Sequence, residues 1–338
     1  ISLSNNKLST LPGGVFDELR SLKRLLIASN RITSISVDSF QNLDNLEKLY
    51  LFDNRLNALP EFVFSSLTNL KTLHLYHNDI ATISRNVLSG MSSLEDLNLQ
   101  DNVITTLPRD SLHDLRNLKS LEMSRNEIRK LEPGTFKPLK FLEDVKLGRN
   151  KISNIPNGVF EDLERFVTLY LEENLLTEIK AKTFKNLTQL TYLDLKNNYI
   201  TRLDDESFVG LSKVRNLVLT NNYIDSVPIA ALSKIQSVQN LYLDGNMITT
   251  VKNGSFRDIR AERLSLARNQ IHSVEFQAFH GLQKLRRLDL QDNRLSRIPL
   301  ASFNYELEKL AEFNLSRNAF SDINADMFKG LTALTSLD

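Results

Sequence analysis

Residues 49–54 read LYLFDN and residues 73–78 read LHLYHN. Tyr50, Phe52, His74 and Tyr76 thus fall at alternating positions of two segments 24 residues apart, and His77 follows at once. Asp53 and Asp101 hold the equivalent positions on either side of His77. Rings gathered on a surface are anchors for a protein partner, each worth ~2 kcal/mol or more once covered. The same rings can instead pack on one another and stiffen a sheet. A histidine between carboxylates changes charge near physiological pH, which would make binding pH-sensitive. His74, His77, Asp53 and Asp101 also have the donor types of a metal site, but nothing encloses an ion on an open sheet. Tyr170 and Tyr192 form a smaller second candidate patch. Catalysis finds less support. There is no cysteine nucleophile, no phosphate-cradling glycine loop and no H-E-x-x-H. The carboxylates are spread along the chain rather than gathered in a desolvated cleft. The expectation is a non-enzymatic chain without cofactor or small-molecule substrate.

What must position these residues is a repeat. Asparagines stand 24 residues apart from Asn6 to Asn246, and Asn269, Asn293 and Asn318 continue at spacings of 23, 24 and 25. Apolar residues precede each asparagine by five and three positions and follow it by two, as Leu49, Leu51 and Leu56 do around Asn54. Phe or Leu stands ten positions after it, from Phe16 to Phe328. This is the pattern L-x-x-L-x-L-x-x-N-x-L of a leucine-rich repeat. One coil cannot bury its own apolar face, whereas stacked coils close a continuous core. The x-L-x-L-x stretch predicts one strand per coil in a parallel sheet. Its alternate residues face outward, which puts Tyr50, Phe52, His74 and Tyr76 on one surface. The asparagine amide, with donors and an acceptor, is expected to satisfy turn backbone in its own and a neighbouring coil. The Phe column fills the opposite, thicker side. Pairs such as Leu59-Pro60 and Ile298-Pro299 fix φ where the chain crosses between the sides.

Two segments depart from the period. FRDIRAERLSL, 256–266, has lost a residue and an apolar contact, and FNYELEKLAEFNL, 303–315, has gained one residue. Both read as loop changes that the outer side absorbs, with a partner contact as the sharper alternative. About fourteen repeats form one array over 1–338. It begins and ends inside a strand, so both end caps are expected to be missing, with Ile1, Leu3, Leu334 and Leu337 facing water. Absent cysteine therefore does not fix the compartment. The balance of 42 Lys+Arg against 41 Asp+Glu calls for neither nucleic acid nor an anionic membrane. No apolar run reaches the roughly 18 residues of a spanning helix.

The 24-residue unit, with LPGGVF at 11–16, LEPGTF at 131–136 and IPNGVF at 155–160, resembles the typical class of extracellular leucine-rich repeats. Toll and Toll-like receptor ectodomains, Slit-like proteins, leucine-rich and immunoglobulin-like transmembrane proteins and variable lymphocyte receptors share it. The resemblance implies an α/β solenoid bent into a horseshoe. A parallel β-sheet would line its concave side, with short irregular, 3-10 or helical segments on the convex side. It also implies an extracellular, cell-surface or secreted module that binds a protein ligand on the concave face, with a homodimer as a further option. A self-associating matrix scaffold is the alternative. Sequons at Asn186, Asn253 and Asn314 would then carry glycans. A glycan on Asn314 would cover the C-terminal strand face and leave ligand to the N-terminal half.

Overall fold

The computed structural model describes residues 1–235, 237–298, 307–323 and 325–338. Its internal contacts divide the chain into two compact units, Ile1–Tyr170 and Leu171–Asp338. In the first, seven strands pair in parallel in chain order: Arg24–Leu26, Lys48–Tyr50, Thr72–His74, Asp96–Asn98, Ser120–Glu122, Asp144–Lys146 and Thr168–Tyr170. Leu25 lies opposite Leu49, Leu49 opposite Leu73, and so on to Val145 opposite Leu169. Parallel neighbours need a crossover of a dozen or more residues, and the rest of each coil supplies it.

The second unit repeats the scheme with Tyr192–Asp194, Asn216–Val218, Asn240–Tyr242, Arg263–Ser265, Arg287–Asp289, Glu312–Asn314 and Ser336–Leu337. Here both departures from the period are absorbed outside the sheet. Leu241 still faces Leu264, and Leu288 still faces Phe313. Pro299 and Phe303 lie outside the described residues. The opposite side is built of turns, with one α-helix among the described residues, Ile229–Leu232, and a 3-10 turn at Ala325–Phe328. Three additional parallel pairs, such as Thr10–Leu11 with Ser34–Ile35, run where the chain leaves the asparagine turn. Two-residue strands have no period to read, so the sequence did not announce them.

The core columns are filled as expected. Leu49, Leu51 and Leu56 are fully buried. Phe40 stacks between Phe16 and Phe64, with ring centroids 6.4 and 5.8 Å away. At the chain ends, Ile1 and Leu337 are exposed as expected, but Leu3 and Leu334 are half-buried, because a neighbouring coil still covers one side of each.

From the second coil on, the asparagine amide ties its own turn to the preceding coil, as at Asn102. The Asn102 Nδ2 donates to the carbonyls of Leu75, Leu99 and Gln100 at 3.0, 3.1 and 3.2 Å. Its Oδ1 accepts the Ile80 N–H at 3.0 Å. The residue just before the asparagine bends the chain out of the strand in the left-handed region: φ is +56° at Asp53, +53° at His77, +50° at Asp101 and +55° at Arg125. Asp53 is thus more than an ordinary exposed charge, because its backbone makes the turn.

Candidate recognition site on the strand face

The strands are only three residues long, so Tyr50 and His74 end them and Phe52 and Tyr76 lie just beyond. The ladder continues nonetheless. Leu51 donates its N–H to the His74 carbonyl at 2.9 Å, and Asp53 donates to that of Tyr76 at 2.9 Å. Phe52 and Tyr76 therefore stay on the face that alternation assigns them. All four rings are half-buried, and the structure brings them into one cluster. Phe52 and Tyr76 stack at 4.3 Å and 8°. Tyr50 meets His74 edge-on at 5.1 Å and Phe52 at 6.3 Å. Tyr76 meets His77 edge-on at 5.6 Å.

Carboxylates hold the two imidazoles. His74 Nε2 donates to Asp96 Oδ2 at 2.9 Å, and His77 Nε2 donates to Asp101 Oδ2 at 3.1 Å. A carboxylate only accepts, so Nε2 carries the proton in both. Of the two aspartates flanking His77 in sequence, Asp101 is the bonded one. It also receives Gln100 Nε2 at 2.7 Å and faces Arg125 Nη1 at 3.7 Å. Asp96 is a site residue that the sequence reading missed. The signal was available: an acid six positions before Asn102, one strand on from His74. Burial, and secondarily the Asp53 charge, pushes the Tyr76 phenol above its ordinary value, so it remains a neutral hydroxyl. Among the described residues no group of three or more His, Asp or Glu gathers to hold a metal ion.

Much of the remaining strand face serves the backbone rather than a ligand. Four positions before the asparagine, the side-chain oxygens of Asn98, Glu122, Asp194, Asp289 and Asn314 accept the N–H two residues on, at 2.9–3.1 Å. That N–H therefore points to the strand face. Tyr50 and His74 occupy the same column and supply no such acceptor, and the N–H groups of Phe52 and Tyr76 find none elsewhere among the described residues. Two outward backbone donors are thus left beside the ring cluster.

Tyr170 lies in the first unit, with Lys146 Nζ 6.0 Å from its ring centre. Tyr192 lies in the second and donates its hydroxyl to Asp194 at 3.2 Å. Each ring has a local partner within its own unit. Asn186 and Asn253 are exposed. The Asn314 amide is engaged at both ends, donating to Gln291 at 2.8 Å and accepting from Ser316.

Burial raises the Asp194 carboxyl above the ordinary range, against the opposing hydrogen bonds of Lys196 and Tyr192. A carboxyl that holds its proton more tightly when folded weakens the fold as pH rises from its unfolded toward its folded value. Asp194→Asn keeps the acceptor for Lys196 and can donate to Tyr192. The variant should match the wild type in acid and exceed it in stability at neutral pH. Denaturation midpoints across that range test this, and a gap independent of pH would contradict it.

The chain matches the leucine rich repeat family in ten overlapping segments that tile it from 1–56 to 283–338. No curated protein sequence matches it. Among solved structures, a leucine-rich repeat protein of Leptospira interrogans is 27% identical with a TM-score of 0.78, over 100% of this chain and 83% of that one. Toll of Drosophila, in its complex with Spatzle, is 23% identical with a TM-score of 0.80, over 94% and 50%. The ectodomain of the membrane receptor kinase GASSHO1/SCHENGEN3 of Arabidopsis thaliana, in complex with Casparian strip integrity factor 2, is 26% identical with a TM-score of 0.64, over 99% and 41%.

Proposed function

Because the chain belongs to the leucine-rich repeat family, we propose that it is a non-enzymatic protein-recognition module, the ligand-binding part of an extracellular receptor or adhesion protein, and that Tyr50, Phe52, His74 and Tyr76 anchor the ligand on its concave strand face. One observation carries the assignment: four rings stand packed together on strand-face positions whose side chains serve no backbone N–H. The rings are held in place before a ligand arrives, by stacking and by the Asp96 and Asp101 bonds, so covering them costs little ordering entropy. The free N–H groups of Phe52 and Tyr76 suit a ligand that presents carbonyl or carboxylate oxygens between the rings. Support for a protein ligand comes from the Arabidopsis ectodomain, which was solved with its factor bound. No helix among the described residues is long and apolar enough to cross a membrane. Tyr170 and Tyr192 are secondary contacts in this reading, and Asn186 and Asn253 carry glycans away from the site.

The test is a screen of secreted and cell-surface proteins against the immobilised chain, repeated with Tyr50→Ala/Tyr76→Ala. Anchors of this kind should cost the double variant about 30-fold or more in affinity, with an unchanged denaturation midpoint. A protein ligand that binds both forms equally places the site elsewhere. A screen that returns no protein ligand counts against the module itself.

A further inference from the structure

The shortened segment at 256–266 does more than close a loop. Where the coil of Phe208 continues through Leu211 and Val214, that of Phe256 continues through Ile259 and then, one residue early, Ala261, which is fully buried. A small residue thus stands where Val238 packs in the preceding coil and Leu285 in the following one. The coil before it carries the short helix Ile229–Leu232. Where these coils meet the following one there is an open hollow of about 590 Å³, lined among others by Ser233, Arg257, Asp258, Arg260, His280 and Lys284. Gly281 lets the backbones close beneath it. At its φ of +94°, an added Cβ would lie 2.2 Å from the Arg257 carbonyl oxygen.

The charge of this hollow is not balanced from within. Among the described residues, Arg257, Arg260 and Lys284 enter no ion pair. Some basic residues on other segments do find acids: Lys137 and Lys140 converge on Asp162, Lys182 meets Glu206, and Arg287 meets Glu312 at 2.9 Å. Asp258 is the single carboxylate among the described residues of the wall. Three permanent cations against one anion make a local excess in a chain whose net charge is only +1. A concave surface of one sign concentrates its field and raises the local concentration of counter-charged ligand. Guanidinium groups present paired donors that match the oxygens of a sulfate or phosphate group. The volume is that of a small-ligand site.

We propose that this hollow binds a multiply charged oxyanion ester, a sulfated or phosphorylated compound, with Arg257, Arg260 and Lys284 as its ligands. The site is independent of the strand-face reading, since it lies on other segments of the coil. Calorimetric titration of the full chain with a heparin-derived hexasaccharide and with inositol hexakisphosphate tests it. The wild type should bind at least one of the two, with affinity falling as salt rises. Arg257→Gln/Arg260→Gln should weaken that binding about tenfold or more, and flatten the slope of log affinity against log salt by about two. Lys284→Gln should weaken it less. Arg24→Gln/Arg31→Gln, with the same loss of net charge, should leave it unchanged. Binding of the hexasaccharide alone identifies a sulfated glycan as the source, and binding of the inositol phosphate alone a phosphate ester. The proposal is overturned if neither probe binds, if the Arg257/Arg260 variant binds as the wild type does, or if the distant control is equally impaired.

Discussion

Asn102→Ala should lower the stability of the fold by about 3 kcal/mol, since it strands several buried polar groups at once. The amide donates to three carbonyls and accepts the Ile80 N–H, so truncation opens its own coil and the one before it. Water cannot readily take its place, because the residue is only 6% exposed. Asn102→Asp should be worse than the alanine variant at neutral pH. It keeps the acceptor for Ile80 but turns a charged carboxylate toward three carbonyl oxygens, and acid should recover part of the loss by protonating it. Repeat arrays unfold coil by coil as readily as all at once, so a global midpoint is not the only useful measurement. Amide exchange at Ile80 reads the damaged turn directly. Exchange there as slow as in the wild type would show that the amide is not what satisfies that N–H.

Phe40→Ala is expected to cost about 3–5 kcal/mol, the range for emptying a buried aromatic site. Phe40 is fully buried between Phe16 and Phe64, so the cavity would be walled by two rings that the stacked coils hold apart. Phe40→Leu should cost less than about 1.5 kcal/mol, because Leu88, Leu112 and Leu232 occupy the same column, each almost fully buried. Guanidinium denaturation of the two variants side by side separates ring-specific stacking from simple filling. Equal losses would mean that the rings, not the volume, hold this side of the coils together.

The leucine and asparagine columns were legible in the sequence because each rests on a period, and a period survives without coordinates. The ring cluster was legible for the same reason: alternation placed Tyr50 and Phe52 opposite the leucines, and the 24-residue shift brought His74 and Tyr76 beside them. What was not legible depends on where a single polar atom points. The oxygens of Glu122 and Asp194 sit in the same column as Tyr50 and look equally available in sequence, yet they are spent on N–H groups two residues on. The basic hollow was marked only by a missing residue at 256–266. That three cations come to line one hollow follows from how three coils meet, which no one coil encodes.

The left-handed residue before each asparagine has a consequence for how such a face can change. That backbone geometry disfavours side chains branched at Cβ. From Asn5, Ser29, Asp53 and His77 to Asp292 and Arg317, with Gly245 among them, no Val, Ile or Thr stands there. The turn thus filters the amino-acid alphabet of one whole column before any partner selects from it. A library built on this scaffold for new binding would waste its diversity by admitting branched residues at those positions. The productive variation lies one and three residues earlier, at the positions of Phe52 and Tyr50 in their coil, where the backbone makes no prior claim on the side chain.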